Sequence, residues 1–369
     1  MIKPKCFTEE WLDEFKKQKK HVRIDKIILE KMIYALHLLE CIQVNGLDFV
    51  FKGGTSLLLL LKEGNRFSID IDIICNQDRK AIEAVLQKVV DNSQFSSYEL
   101  DAHRSYRLGI PKAHYAFAFD SVSKGNYSGT ILLDILIEDS IYPEIIESVI
   151  QTKWIDTAKV IFVKTPSIDS ITGDKLTAFA PNTIGVPYFK GVQNQSFAKE
   201  ICKQLFDLSK LFEKISNIET VAKSYYAFAE QEIEYRKPIH KSLELSPKTV
   251  LQDTINTCLI ITKRGGKTED EKTKFQELQK GIKAFGTGFL MEGRFRIDDA
   301  IAASSRIAYL ATKILHNDLT PIIYYSNQDV KELTIKETDW SFVNRLKRQP
   351  DKSGFFYWYQ TIQLFKDRT

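Results

Sequence analysis

A chain of 369 residues, 43% hydrophobic and 27% charged, has the composition of a soluble globular protein long enough for two domains. Its net charge of +4 excludes a bulk polyanion binder, so any contact with nucleic acid must come from local clusters. The five cysteines lack Cys-x-x-Cys spacing, which argues against zinc or a disulfide framework, and no apolar run reaches membrane-spanning length; a soluble, cytoplasmic protein with no membrane contact is expected.

Residues 8–20 open on the capping pattern Thr8-Glu9-Glu10 and predict a peripheral helix. Ile24, Ile27, Ile28, Met32, Tyr34, Ala35, Leu38 and Leu39 recur at helical spacing and predict a helix over 24–42, ending before Asn45-Gly46. His37 on that helix reads as a packed residue rather than a ligand. Asp48-Phe-Val-Phe51 reads as the end of a buried strand. Gly53 and Gly54 then make a turn where backbone can approach a ligand, and Thr55 and Ser56 start a leucine-rich helix. A Gly-rich turn at a helix N-terminus presents N–H donors and the positive end of a dipole, an arrangement suited to phosphate.

In Phe67-Ser-Ile-Asp-Ile-Asp-Ile-Ile74, polar Ser68, Asp70 and Asp72 alternate with Phe67, Ile69, Ile71 and Ile73. On a strand both carboxylates share one face, about 7 Å apart. Two carboxylates in apolar surroundings repel each other and are costly to bury. A divalent cation removes that cost, and Mg²⁺ is commonly held by one or two carboxylates plus phosphate oxygens. A phosphate cradle beside metal carboxylates points to phosphoryl or nucleotidyl transfer; the plainer reading is a strand–turn–helix with a solvated Asp-x-Asp edge.

Arg79 to Asp91 predicts an amphipathic helix, and Ala113 to Phe119 a strand with Tyr115, Phe117 and Phe119 on one face. Ser123 to Gly129 is a turn cluster leading to a strand over Gly129–Glu138. Asp134 interrupts the aliphatic run of that strand and shares a face with Leu132 and Leu136. Such a carboxylate is expected to be metal-bound, ion-paired or functional. Lys159–Lys164 reads as a strand, Ser167–Ala180 as a helix stopped by Pro181, and 181–195 as a surface loop. Ser196 to Phe212 is a strong helix with Lys199, Lys203 and Asp207 on one face.

The remainder looks all-helical, over 218–234, 247–262, 268–284 and 298–315, the last with Asp298 as its cap. Lys263 to Lys267 reads as a solvated loop. Trp340 to Arg348 and Phe355 to Tyr359 interleave basic and aromatic residues. That pattern fits contact with single-stranded RNA, although a helical core under solvated charges is the simpler reading.

Gly54-Thr-Ser56 followed by Arg66-Phe-Ser-Ile-Asp70-Ile-Asp72 resembles the first motif of the polymerase-β-like nucleotidyltransferase superfamily. The longer form, Lys52-Gly-Gly-Thr-Ser56 with Arg66 and Ser68 before the aspartates, resembles the AbiEii/AbiGii family, the toxin half of type IV toxin–antitoxin and abortive-infection systems. Gly173-Asp-Lys-Leu-Thr-Ala178 resembles that family's Glu-Lys-Leu-x-Ala segment, with Asp174 for Glu; the resemblance makes Lys175 the residue that faces nucleotide phosphates. Lys203-Gln-Leu-Phe-Asp-Leu208 resembles its Lys/Arg-Asp-Leu-Tyr-Asp-Leu, so Asp207 matches as a polar contact to the site and Gln204 departs.

Over about residues 45–212 this resemblance implies a nucleotide site of Gly53, Gly54, Thr55, Ser56, Arg66, Ser68 and Lys175. It implies metal ligands Asp70, Asp72 and Asp134, the last also the base for the incoming hydroxyl. The expected architecture is α/β (α+β), a small mixed sheet flanked by helices over 1–195 and an all-helical domain over 196–369. The implied reaction is Mg²⁺-dependent transfer of a nucleoside monophosphate from an NTP to an acceptor hydroxyl, that of tRNA or another RNA, in a protein with a cognate antitoxin. The rivals are a small-molecule, antibiotic-type nucleotidyltransferase and a non-catalytic nucleotide-binding module, in whose favour only Gln204 speaks.

Overall fold

The chain begins as helix α1 (Glu9–Gln18), α2 (Lys26–Val44), strand β1 (Val50–Lys52), α3 (Gly53–Leu60), β2 (Ile71–Ile74), α4 (Arg79–Asp91), β3 (Phe95–Leu100), α5 (Ala102–Ser105), β4 (Lys112–Asp120), β5 (Ser128–Leu136), β6 (Ile145–Val149) and β7 (Phe162–Pro166). The computed structural model describes residues 1–18, 25–62, 66–105, 110–123, 128–191, 193–237, 244–290 and 293–366. Ile24, residues 19–20 and most of the expected 123–129 turn lie outside them.

A five-stranded mixed sheet runs in the order β1-β2-β5-β4-β3, with β2 and β5 parallel and the other neighbours antiparallel. The period-two pattern explains its faces. Phe51, Ile71, Ile73, Ala113, Tyr115, Phe117, Leu133 and Ile135 are buried in one core with Leu29, Met32, Ile33 and Leu36 of α2 and Ile82, Leu86 and Val89 of α4. The intervening residues Asp72, His114, Leu132, Asp134 and Leu136 stay half-exposed on the other face. His37 is packed as expected, its ring beside Phe7 and Phe95 and its Nδ1 2.7 Å from Glu40. β3 and the β6–β7 pair include strands the sequence pattern does not announce. In β3, Ser96, Ser97 and Glu99 are exposed and only Phe95 is buried, so its alternation is faint.

The polypeptide folds as two compact units, Met1–Ser167 with Phe289–Gly293, and Ile168–Gly288 with Arg294–Thr369. The division falls after Ser167, earlier than the expected 195. The helix α6 (Ile168–Ala178) packs on α8 (Ile218–Arg236), and Gly173 makes that approach possible: a Cβ there would overlap the backbone of Val221 and Tyr225. The second unit continues with a hairpin of β8 (Phe189–Lys190) and β9 (Gln195–Ser196), then α7 (Ala198–Phe212), α8, α9 (Pro247–Lys263), α10 (Glu269–Gly288), α11 (Ile297–Leu315), a 3-10 helix (Thr338–Arg348) and α12 (Ser353–Lys366). The cap of α11 is Arg296, whose N–H donates to Asp299, so Asp298 lies inside the helix instead. Phe355, Phe356, Tyr357 and Trp358 are buried, which makes the aromatic run near the C-terminus core rather than a stacking surface.

Candidate active site

Two short connections build the polar centre of the sheet unit. β1 leads straight into α3, which begins at Gly53, earlier than the side chains of Thr55 and Ser56 suggest. Lys52 occupies the cap position without a side-chain capping bond, so N–H groups of the first turn are left for another acceptor. Gly53 has φ +75°, and a Cβ there would overlap the Asp72 carboxylate. A Cβ on Gly54 would likewise collide with the Arg66 guanidinium. The two glycines therefore admit one anion and one cation against the start of the helix.

Thr55 and Ser56 are both fully buried and work inside this scaffold. Ser56 Oγ donates to the Gly53 carbonyl at 2.9 Å. Thr55 Oγ1 lies 2.8 Å from Ser68 Oγ and 2.5 Å from the Asp70 carbonyl. Thr55 has one hydroxyl hydrogen, which goes to the carbonyl, and it accepts from Ser68. Thr55 thereby pins the segment that carries the aspartates. Arg66 is buried, gives Nη1 to the Phe67 carbonyl at 2.9 Å and bridges to Leu290, while Phe67 N–H donates to the Phe289 carbonyl at 2.9 Å.

Sheet register assembles the rest. β2 is shorter than the alternating pattern suggests: it begins at Ile71, so exposed Asp70 lies on the approach to the strand and Asp72 within it. Lys52 pairs with Asp72, Asp72 with Asp134, and Asp134 with His114. Paired residues share a face, so Lys52, Asp72, Asp134 and His114 form one transverse row across four strands. The Asp134 carboxylate accepts from His114 Nδ1 at 2.6 Å and Arg104 Nη2 at 3.2 Å. Neither partner stands out in the sequence. His114 sits in an aromatic alternation read only for its core face, and Arg104 in a helix of four residues.

These carboxylates are the donor type that Mg²⁺ takes, and two of them suffice when phosphate or water supplies the remaining oxygens. Among the described residues no group of three His, Cys, Asp or Glu is arranged to hold a metal ion. Asp134, the expected third ligand, is bonded to His114 and Arg104. Just past β2, burial pushes the Cys75 thiol up to about 11. Gly53→Ala is expected to cost about 1–2 kcal/mol through the left-handed backbone alone, and to abolish nucleotidyl transfer by displacing Asp72. Urea unfolding paired with a transfer assay checks both; an active Gly53→Ala protein would show that this approach is dispensable.

In the helical unit, Lys175 of α6 and Asp207 of α7 form a 2.8 Å ion pair, 7% and 2% exposed at their side chains. Lys175 is thus no surface lysine, and Asp207 no surface carboxylate. Gln204, one turn before Asp207, accepts a second hydrogen bond from Lys175 Nζ at 3.2 Å. An amide here binds the ammonium without adding a second buried negative charge.

A protein-family model described as "Nucleotidyl transferase AbiEii toxin, Type IV TA system" matches residues 37–286. No curated protein matches the chain. Among solved structures, MenT4, a nucleotidyltransferase toxin from Mycobacterium tuberculosis, is similar at 11% identity and a TM-score of 0.44, covering 73% of this chain and 87% of that one. An H. pylori protein described as a nucleotidyltransferase candidate is similar at 16% identity and a TM-score of 0.33, covering 68% of this chain and 95% of that one.

Proposed function

Because the chain belongs to the AbiEii family of nucleotidyltransferase toxins of type IV toxin–antitoxin systems, we propose that it transfers a nucleoside monophosphate from an NTP to a hydroxyl of RNA, with tRNA as the acceptor. The observation that carries this reading is the Asp72 carboxylate packed on Gly53 at the start of α3. It brings a metal-binding group and phosphate-binding N–H donors to one point.

Asp70 and Asp72 would hold Mg²⁺ together with phosphate oxygens. Bound there, the ion supplies charge neutralisation for the departing pyrophosphate. The first-turn N–H groups of α3 orient the triphosphate, and Arg66 meets its charge from beside Gly54. Lys175, bonded to Asp207 and Gln204 within the helical unit, is the phosphate-facing cation that the family resemblance implies. The acceptor oxygen attacks the α-phosphorus, its bond to pyrophosphate breaks, and the hydroxyl proton leaves to a base. The hydroxyls of Thr55, Ser56 and Ser68 fix the loop, while the backbone N–H groups of Thr55 and Ser56 belong to the turn that faces the triphosphate. In this reading the partner is a cognate antitoxin and the location the cytoplasm, both supported by the family.

The test is incubation of the full chain with total RNA, Mg²⁺ and each NTP radiolabelled at the α-phosphate. Label in a tRNA-sized band, absent with Asp70→Ala, is the expected result. A folded protein that binds NTP yet labels no RNA would defeat the reading and favour a small-molecule acceptor or a binding module.

A further inference from the structure

The helical unit holds a pocket of about 390 Å³ beside the Lys175–Asp207 pair. One wall is α7 with its cap residue Phe197, and Phe197, Glu200 and Gln204 line it. Asp174 enters from α6, one residue before Lys175, and Glu232 and Arg236 from α8. Gln204 joins the pocket to the ion pair: its carbonyl oxygen is occupied by Lys175, which leaves its NH₂ for a ligand. Lys190 stands 5.5 Å from the Phe197 ring centroid.

We propose that this pocket is a subsite for a nucleobase bearing an exocyclic amine, an inference that rests on the nucleotidyl-transfer reading. The volume lies within the range of small-ligand pockets, and an aromatic wall offers a stacking face. Asp174, Glu200 and Glu232 are acceptors, and each carboxylate has lone pairs beyond those used by one partner. Glu232 is paired with Arg236 at 2.8 Å and Glu200 with Lys199 at 3.3 Å, so the wall is an acceptor surface rather than a bare negative well. Adenine, cytosine and guanine carry amine donors for such a wall, and the Gln204 NH₂ can donate to a ring nitrogen or carbonyl beside the amine. Uracil turns carbonyl oxygens on both sides of its single N–H towards the carboxylates and leaves acceptors facing acceptors. A polar site that cannot pair its groups rejects the ligand strongly.

The base belongs either to the NTP or to the acceptor end of the RNA, and the experiment separates the two. Binding of ATP, CTP, GTP and UTP to the full chain is measured by calorimetry, for the natural protein, for the double variant Asp174→Ala/Glu200→Ala and for Phe197→Leu. Alanine favours the helices that carry both acids, so the double variant is expected to fold. The expected result is about tenfold tighter binding of the three amino-bearing nucleotides than of UTP. That preference falls to about threefold or less in the double variant, while Phe197→Leu weakens all four. Equal binding of the four NTPs, with transfer that prefers an RNA 3′-terminal adenosine over uridine and loses that preference in the double variant, assigns the pocket to the acceptor base. Preference in neither partner, or preference untouched by both variants, overturns the proposal. Amine-selective NTP binding without transfer to any RNA would uphold the pocket and refute the transfer reading instead; transfer without base selectivity would do the reverse.

Discussion

Asp72→Asn is expected to lower nucleotidyl transfer about 10²–10³-fold or more while changing stability by less than about 1 kcal/mol. The substitution keeps the shape that rests on Gly53 and removes only charge. Asp72 and Asp134 are register partners on parallel strands, so losing one negative charge also relieves repulsion between them. The Mg²⁺ concentration that half-activates transfer should rise for Asp70→Asn and Asp72→Asn. It should move little for Asp134→Asn, whose carboxylate is held by His114 and Arg104. Transfer by Asp72→Asn at the natural rate would remove the metal role. A shift for Asp134→Asn as large as that for Asp72→Asn would restore the three-carboxylate site that the resemblance implies.

The second large effect concerns the buried pair. Lys175→Met is expected to cost about 3–5 kcal/mol, because it strips the lysine from a carboxylate that is 2% exposed. Lys175→Met/Asp207→Leu should regain most of that stability, since apolar side chains often replace a buried ion pair without loss. Transfer should nonetheless stay abolished in the double variant. Urea unfolding and labelled transfer on the same preparations separate the two contributions. A double variant that is both stable and active would reduce Lys175 and Asp207 to structural residues.

What could be read before folding and what could not follows from the range of each interaction. Glycines, β-branched runs and heptad-like spacing act locally, so the strand–turn–helix at 50–60 and the helices from 198 onward are legible in the sequence. His114 is set opposite Asp134 by strand register, which depends on how β4 and β5 pair. His114 therefore reads as one of many alternating residues until it faces Asp134. Likewise i, i+4 spacing sets Lys203 on the same helix face as Asp207, but only the fold brings Lys175 of α6 within 2.8 Å of Asp207. Ser56, a good phosphate ligand by type, gives its hydroxyl to the carbonyl three residues earlier, a local bond that residue type alone does not announce.

The return of Phe289–Gly293 to the sheet unit sets an order of events during synthesis. Phe67 N–H and Arg66 find their backbone partners only at Phe289 and Leu290. When the ribosome has delivered the last residues of β7, every strand of the sheet exists, yet the backbone at Arg66 and Phe67 still lacks the stretch it pairs with. That stretch arrives only after α6 to α10 have been made. Closing so long a loop comes late in folding, so a chain truncated after residue 167 would carry the aspartates without the clasp that fixes Arg66 beside Gly54.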